Sequence, residues 1–148
     1  MAIYFYSRVD EYGDFCNFSS HGFEVDGKYW PSVEHYFQAQ KFAGTEYEEL
    51  IRTARTPNDA KNLGRTRDVP IRADWESIKD LIMHRAVYQK FERHAAIRDR
   101  LLATGDEEIV ENAPGDYYWG CGADGSGCNK LGQILMSVRS QLRVRQRN

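Results

Sequence analysis

The hydrophobic pattern of this chain changes once, close to Trp30, and that change limits the possible fold more than any other feature. Before it, aromatic and β-branched residues alternate with polar ones, as over residues 3–8, which is typical of short strands. After it, apolar residues recur at intervals of three and four, which is typical of helices that face a core. The sequence therefore predicts a mainly helical α+β fold, with a small N-terminal β-sheet or hairpin packed on a helical body.

The first part of the chain carries the signals of short strands joined by turns. Segments 23–25 and 28–30 flank Asp26 and Gly27, a dipeptide that is typical of a two-residue hairpin turn. Residues 10–22 are rich in Asp, Gly, Asn and Ser, which predicts an irregular loop. We therefore expect a loop followed by one hairpin before the helices begin.

Capping residues mark the ends of several predicted helices. Ser32 is a candidate N-cap for a helix that runs towards Gly44. Thr56 precedes a proline at the first helical position, and Gly64 closes that helix. Asp74 precedes the longest helical pattern, over 75–94.

Helices with weaker end signals are predicted over 47–54, 96–105, 106–112 and 130–145. The last of them carries a stripe of apolar residues with core-facing spacing: Leu131, Ile134, Leu135, Val138 and Leu142. These helices complete a chain without repeats or linkers.

Length, charge and hydropathy indicate a single domain and argue against a membrane protein. The 148 residues are typical of a single domain over 1–148, and 20 basic against 22 acidic residues give a net charge of −2. Mean hydropathy is −0.67, no apolar run approaches the roughly 18 residues of a membrane span, and no signal peptide is evident. We therefore expect a cytoplasmic protein without a membrane partner. The charge also argues against non-specific nucleic-acid binding.

Two further features leave alternatives open. The C-terminal arginines are either a solvated helix end or a phosphate-binding face: Arg139, Arg143, Arg145 and Arg147. The three cysteines are Cys16, Cys121 and Cys128, and their odd number fits reduced thiols. Because their spacing does not match a zinc motif, we expect no metal site.

A glycine-rich loop over residues 116–129 precedes the last predicted helix. Such a loop lets backbone amides approach an anion, and it is equally compatible with a tight loop in which Asn129 is the N-cap. Aromatic residues border the two irregular loops, where they serve either base stacking or closure of the core: Phe15, Phe18, Tyr117, Tyr118 and Trp119.

The helix that follows Ser32 carries polar groups on one stripe. Glu34, Gln38 and Lys41 are spaced i, i+4 and i+7, which places them on one side of a helix. An acid and an amine in this arrangement can hold the reacting carbon of a sugar between them. The alternative is a solvated stripe on an amphipathic helix.

The sequence resembles the NADAR (YbiA-like) family over essentially its whole length. The matching stretches, in family order, are FYSRVDEYGDFCNFSSHGFEVDGKYWPSVEHYFQAQKF (5–42), GRTR (64–67), ADWES (73–77) and WGCGADGSGCNKLGQILMSVR (119–139). The resemblance implies a YbiA-like fold and an N-glycoside hydrolase that acts on ribosylated, phosphorylated, nucleotide-like substrates. One branch cleaves ribosylaminopyrimidine phosphates of riboflavin synthesis. Another removes ADP-ribose from guanine in nucleic acid.

The resemblance also assigns site residues. It implies that Glu34 is the essential acid, that Lys41 is the family's lysine and that Trp75 is functional. It places Asn17 and Phe18 in a substrate loop, and it assigns four positions in the glycine-rich loop region: Asp116, Trp119, Gly120 and Asn129. Some relatives carry Asp and Lys at the positions of Cys121 and Cys128, so any acid or base role there is absent.

We expect the remaining roles to follow from the chemistry of C–N cleavage. Glu34 would stabilise an oxocarbenium-like centre and orient water, and Lys41 would either assist by charge or form an imine with the opened ribose. Candidates for stacking the base are Tyr118, Trp119 and Trp75, and candidates for the phosphate are Arg8, Arg65, Arg67 and loop amides. No metal or cofactor is expected.

Three functions are compatible with these features. The first is an N-glycosidase on free riboflavin intermediates. The second is an ADP-ribosyl hydrolase on nucleic acid, which would pair functionally with a modifying toxin. The third is a non-catalytic module that binds ADP-ribose or nucleotides. The acid–amine pair disfavours the third, and oligomeric state is not evident from the sequence.

Overall fold

The structure, a computed structural model, describes residues 1–147. The chain forms two compact units. One contains Met1–Cys16 together with the chain from Phe91 onward, and the other contains Asn17–Lys90. A single domain over 1–148 stays a prediction.

Helices dominate the described chain. The strands are β1 (Ile3–Phe5), β2 (Phe23–Val25), β3 (Lys28–Trp30) and β4 (Ile109–Glu111). The helices are α1 (Val33–Gln40), α2 (Glu46–Arg52), α3 (Pro57–Leu63), α4 (Trp75–Arg93), α5 (Ala95–Ala103) and α6 (Lys130–Arg147), with a short 3-10 helix at Gly13–Phe15. The mainly helical α+β class is confirmed.

The unit formed by residues 17–90 begins with the expected hairpin. Strands β2 and β3 pair antiparallel, with Phe23 opposite Trp30. Asp26 and Gly27 take φ values of 55° and 78°, the left-handed conformations that a type I′ turn requires. The ring of Tyr36 on α1 packs edge-on against Trp30, with centroids 5.0 Å apart. The hairpin is thus covered on one side by α1.

Side-chain caps begin α1 and α3 of this unit as the sequence predicts, whereas the Asp74 carboxylate, expected to cap α4, pairs with Arg72. The Ser32 side chain accepts a hydrogen bond from the backbone of His35, and Thr56 caps α3 in the same way through the backbone of Asp59. Helix α1 ends at Gln40, four residues before Gly44, because the chain continues through i→i−3 turns instead.

The other unit is closed by strands from distant parts of the chain. Strand β1 pairs in parallel with β4, with Ile3 opposite Ile109. The predicted helix over 106–112 is therefore wrong. The β-branched pair Ile109–Val110 forms a strand because β1 supplies its hydrogen-bonding partner, and this tertiary pairing outweighs the local helical signal. The small sheet is consequently not confined to the N-terminus.

Helix α6 buries its predicted stripe in the same unit. All five apolar positions of the stripe are buried. The arginines of this helix are not a merely solvated end: Arg139 is buried and donates to Thr104 Oγ1 and to the Glu107 carbonyl, at 2.9 and 2.8 Å. Arg143 pairs with Asp106. These side chains therefore hold the turn between α5 and β4.

Within residues 1–147, no helix combines the length and apolarity that crossing a membrane requires.

Candidate active site

Glu34 lies in the first turn of α1 and is buried. Ser32 starts the helix there, and the Glu34 backbone N–H donates to the Asn17 carbonyl at 3.2 Å. The side chain is only 7% exposed, and Gln38, one turn later, is 8% exposed. A solvated stripe is therefore the wrong interpretation for these two residues. The helix presents a carboxylate and a carboxamide to the protein interior.

Gln38 contacts the carboxylate directly. Its Nε2 donates a hydrogen bond to Glu34 Oε2 at 3.2 Å. This contact fixes the orientation of both side chains along α1, as the i, i+4 spacing allows. The sequence places Gln38 on the same stripe as Glu34 but indicates no role for it.

Burial is the main influence on the protonation of Glu34. Removal from water raises the pKa of Glu34 above its ordinary value. Smaller opposing effects come from the Gln38 hydrogen bond and from the charges of Lys61, Lys41 and Arg65. The site thus contains one buried carboxyl group surrounded by three cationic side chains of the same unit.

Lys41 follows α1 and is half-buried. Its Nζ donates to the Gly64 carbonyl at 3.3 Å. Burial lowers the pKa of Lys41, and Arg65 lowers it further, while Glu34 opposes the shift. A larger fraction of its amine is therefore uncharged near neutral pH than for a lysine in water.

Lys61 is a further candidate for the site, and the sequence pattern did not single it out. It lies on α3, and its ammonium is 5.9 Å from the centroid of the Phe18 ring. Arg65 follows the same helix and is exposed. The i, i+4 spacing of Lys61 and Arg65 was the available signal, since it places both on one side of a helix.

Two other predicted residues lie in this unit. Trp75 begins α4, is largely buried and packs against Phe37 with ring centroids 5.0 Å apart. Asn17 donates from Nδ2 to Met83 Sδ at 3.6 Å. Among the described residues, nothing donates a hydrogen bond to the buried Oδ1 of Asn17. Arg67 is exposed.

The glycine-rich loop belongs to the other unit. The Asp116 carboxylate accepts the backbone N–H groups of Tyr118 and Trp119, at 3.0 and 2.8 Å. The two rings pack edge to face with centroids 4.9 Å apart. Asp116 therefore determines the course of the backbone that carries both rings. Arg8, in the same unit, is exposed.

Asn129 is not a side-chain cap of α6, contrary to one of the expected alternatives. Its Oδ1 accepts from Glu111 N and its Nδ2 donates to the Ile109 carbonyl, both at 2.9 Å. Its φ of 52° is left-handed, a conformation that Asn tolerates better than most residues. The side chain fastens the start of α6 to β4.

Gly120 and the loop amides are occupied by internal contacts. A Cβ on Gly120 would lie about 3 Å from atoms of Ala113, Asp116 and Glu111. Several amides at the end of the loop donate to loop carbonyls: those of Gly127, Cys128, Asn129, Lys130 and Leu131. These amides stabilise the loop itself, so binding an anion there would require them to give up their present partners.

Within the described chain no disulfide joins the three cysteines, and Cys128 is exposed. Cys121 Sγ lies 3.5 Å from Asn112 Oδ1. In the part of the chain that the structure describes, no three His, Cys, Asp or Glu side chains gather as a metal site would require.

Comparisons with known proteins agree with this architecture. The chain is 49% identical to N-glycosidase YbiA of Escherichia coli over 142 residues, which cover 96% of this chain and 89% of that protein. It is 51% identical to an N-glycosidase of Nostoc punctiforme over 146 residues, covering 97% and 94%. A riboflavin biosynthesis protein of Vibrio vulnificus is 41% identical over 140 residues, covering 95% of this chain and 38% of that longer protein.

The solved NMR structure of Escherichia coli YbiA matches this fold with a TM-score of 0.90. The match has 48% sequence identity and covers 98% of this chain and 86% of the other. A family model described as the NADAR domain matches residues 4–143. The resemblance and the YbiA-like fold inferred from the sequence are thus confirmed, and the chain belongs to the NADAR family.

Proposed function

We propose that this chain hydrolyses the C–N bond between ribose and base in a phosphorylated, nucleotide-like substrate. Relatives at about half identity over nearly the whole chain are named N-glycosidases, which supports hydrolysis of N-glycosyl bonds. The observation that carries the proposal is the buried Glu34, held by Gln38 and surrounded by cationic side chains. Burying a carboxylate costs free energy of folding, and a module that only binds a ligand does not need to bear that cost.

Glu34 supplies the chemistry at the anomeric carbon. Cleavage of the C–N bond develops positive charge at C1, and a carboxylate in a water-poor setting stabilises that charge strongly. The same group can accept a proton from the attacking water. Its raised pKa moves it towards neutrality, where a general base works most effectively.

Lys41 supplies an amine to the same site. Because burial lowers its pKa, part of the population is the free amine that can attack C1 of the ring-opened glycosylamine. In that route the lysine nitrogen forms an imine with C1 and the base leaves as an amine. Water then hydrolyses the imine and regenerates the lysine. The alternative is a purely electrostatic role beside Glu34.

The phosphate is assigned to exposed or half-exposed cations. Lys61 and Arg65 lie close enough to Glu34 to influence its charge, and their combined charge exceeds what Glu34 neutralises. Arg8 and Arg67 remain further candidates. For the base, the stacking candidates in the unit of Glu34 are Phe18 and Trp75, with Asn17 in the same loop as Phe18. In the other unit the candidates are Tyr118 and Trp119, in a loop that Asp116, Gly120 and Asn129 shape.

A ribosylaminopyrimidine phosphate is the substrate we favour. A 41% identical relative is named a riboflavin biosynthesis protein. The C-terminal arginines, which could form a phosphate-binding face for nucleic acid, are mostly engaged within the protein: Arg139 with Thr104, Arg143 with Asp106, and Arg145 with Glu92. ADP-ribosylated guanine, and with it a functional pairing with a modifying toxin, is the other substrate hypothesis.

Two parallel incubations test the proposal. The purified protein is incubated with the ribosylaminopyrimidine phosphate and, separately, with an oligonucleotide that carries ADP-ribosylated guanine. We expect release of ribose 5-phosphate from the first, and loss of this release in Glu34→Gln. Release of ADP-ribose alone would assign the second substrate. Binding of either compound without release would make the chain a binding module and overturn the proposal.

A further inference from the structure

The backbone conformation at position 64 does not require a glycine. Gly64 closes α3 with φ −67° and ψ −12°, which is right-handed helical conformation open to any residue. Glycines that end helices are usually selected for a left-handed φ, and that reason is absent here. Another constraint must explain why this position has no side chain.

The space beside Gly64 is filled by the carboxamide of Gln38. A Cβ at position 64 would lie 2.1 Å from Gln38 Oε1 and 2.8 Å from Gln38 Cδ. Both distances are far below van der Waals contact. The missing side chain at 64 therefore lets the Gln38 carboxamide occupy its place against the end of α3.

Of the two polar atoms of the Gln38 carboxamide, one is hydrogen-bonded and the other makes only packing contacts. Nε2 donates to Glu34 Oε2 at 3.2 Å. Within the described chain, the buried Oε1 accepts no hydrogen bond and rests against Gly64. The open space at Gly64 thereby lets the carboxamide lie where Nε2, the donor, reaches the carboxylate.

Gly64 also contacts the second reactive group. Its carbonyl accepts the hydrogen bond from Lys41 Nζ at 3.3 Å. One residue at the end of α3 thus borders the carboxamide that holds Glu34 and accepts a hydrogen bond from the Lys41 amine.

We propose that Gln38 and Gly64 are positioning residues for Glu34: Gln38 aims and solvates the carboxylate, and the absence of a side chain at 64 makes that possible. This inference rests on the proposed role of Glu34. The charged groups that face Glu34 are Lys41, Lys61 and Arg65, and they stay unchanged in the variants below.

The test measures the protonation of Glu34 directly. Carboxyl carbons are labelled with ¹³C, and the Glu34 resonance, assigned by its loss in Glu34→Gln, is titrated by NMR. In Gln38→Met the donor is lost at nearly constant volume. We expect the pKa of Glu34 to rise by about one unit, since a hydrogen bond to a charged group is lost.

A second variant disturbs the contact between Gln38 and Glu34 without changing Gln38. Gly64→Ala is compatible with the local backbone but displaces the carboxamide, so we expect an upward shift of the Glu34 pKa in the same direction. This variant decides the question if Gln38→Met fails to fold. Matched controls are Gln40→Met on the same helix and Gly115→Ala, where an added Cβ meets nothing within 4 Å.

Kinetics supply an independent readout. With the competent substrate, Gln38→Met should lower kcat about 10- to 100-fold with little change in KM, and move the acid limb of the pH profile upward. An unchanged Glu34 pKa in every folded variant overturns the inference, as does an equal shift in the controls. If the wild type turns over neither substrate, the proposed function fails, and the NMR titration still decides the role of Gln38.

Discussion

Glu34 is the residue on which the proposed chemistry depends. An ionised carboxylate in the interior loses the hydration that it has in the unfolded chain, which costs free energy of folding. Here one hydrogen bond and three nearby cations compensate only in part, because the net effect is a raised pKa. The protein thus keeps a group that reduces its stability, which is typical of a functional site.

Glu34→Gln separates the chemical role of this residue from a structural one. The change keeps the shape of the side chain and removes its charge. We expect turnover to fall by about 10²- to 10⁴-fold, the usual contribution of a general base, while the melting temperature at neutral pH stays equal or rises. Steady-state kinetics and thermal unfolding measure both. Near wild-type turnover would show that Glu34 only stabilises the start of α1.

The pH dependence of stability provides a second check on Glu34. Its pKa in the folded chain lies above the ordinary value of 4.5, so the folded protein binds this proton more tightly than the unfolded chain. That contribution is complete below pH 4.5 and is lost as the pH rises through the folded pKa. The free energy of unfolding of the wild type, relative to Glu34→Gln, should therefore decrease from about pH 4 towards neutrality. A flat difference contradicts the burial effect.

Lys41 allows a direct trapping experiment. Borohydride added during turnover reduces an imine to a stable secondary amine, and we expect mass spectrometry to find a ribose-derived adduct on Lys41. Lys41→Arg keeps a cation but cannot form the imine, so both the adduct and most of the activity should be lost. An arginine variant with wild-type turnover, together with no adduct, would assign Lys41 an electrostatic role.

The secondary-structure elements are joined by side chains that bind the backbone. His35 on α1 lies 2.7 Å from Ser32 Oγ through Nδ1 and 3.0 Å from the Ala54 carbonyl through Nε2. It therefore ties the start of α1 to the chain that follows α2. Burial lowers the pKa of His35, as expected for a structural imidazole that stays neutral. In the other unit, the Asn129 side chain likewise joins α6 to β4 through hydrogen bonds to the β4 backbone.

Two substitutions of Asn129 should separate the effect of its hydrogen bonds on stability from the effect of its left-handed φ. Asn129→Gly removes both hydrogen bonds to β4 but tolerates the left-handed φ, and we expect a loss of about 2 kcal/mol. Asn129→Ala should cost about 1 kcal/mol more, because a Cβ disfavours that φ. Urea denaturation measures both. Asn58→Ala, on the exposed side of α3, is the control and should change stability by less than about 0.5 kcal/mol. Equal stability of the two Asn129 variants would contradict the strain argument.

One of the two units is built by contacts between the two ends of the chain. Residues 1–16 and the chain from Phe91 onward form one unit, and residues 17–90 form the other. In the first unit, the Phe15 ring packs edge-on against Phe5 and Phe91, with centroids 6.1 and 5.7 Å away. Such contacts form only after a long loop closes, which costs chain entropy. The pairing of β1 with β4 depends on the same closure.

Phe5 tests how much this closure contributes to stability. Phe5 is 1% exposed, and Phe5→Ala should reduce the free energy of unfolding by about 3–5 kcal/mol through lost burial and a cavity. The adjacent Tyr4 is 58% exposed, so Tyr4→Ala should cost far less. Chemical denaturation of both variants provides the comparison. A similar loss in the two variants would show that β1 is not anchored by its inward side chain.

Local signals in the sequence predicted the elements whose formation depends on near neighbours. The Asp26–Gly27 turn, the caps at Ser32 and Thr56, and the stripe on α6 were all predicted, because φ preferences, capping and helical periodicity act within a few residues. The helix stripe also predicted that Glu34 and Gln38 share one side of α1.

Tertiary structure decided what depends on distant partners. Residues 109–111 form a strand because β1 is available to pair with them, and Asn129 binds β4 because that strand lies beside it. Burial of Glu34 and the fit of Gln38 against Gly64 depend on packing between α1 and the end of α3. Sequence spacing specifies which side chains share a helix face, whereas only the packed chain specifies which face loses its water and which atoms then approach one another.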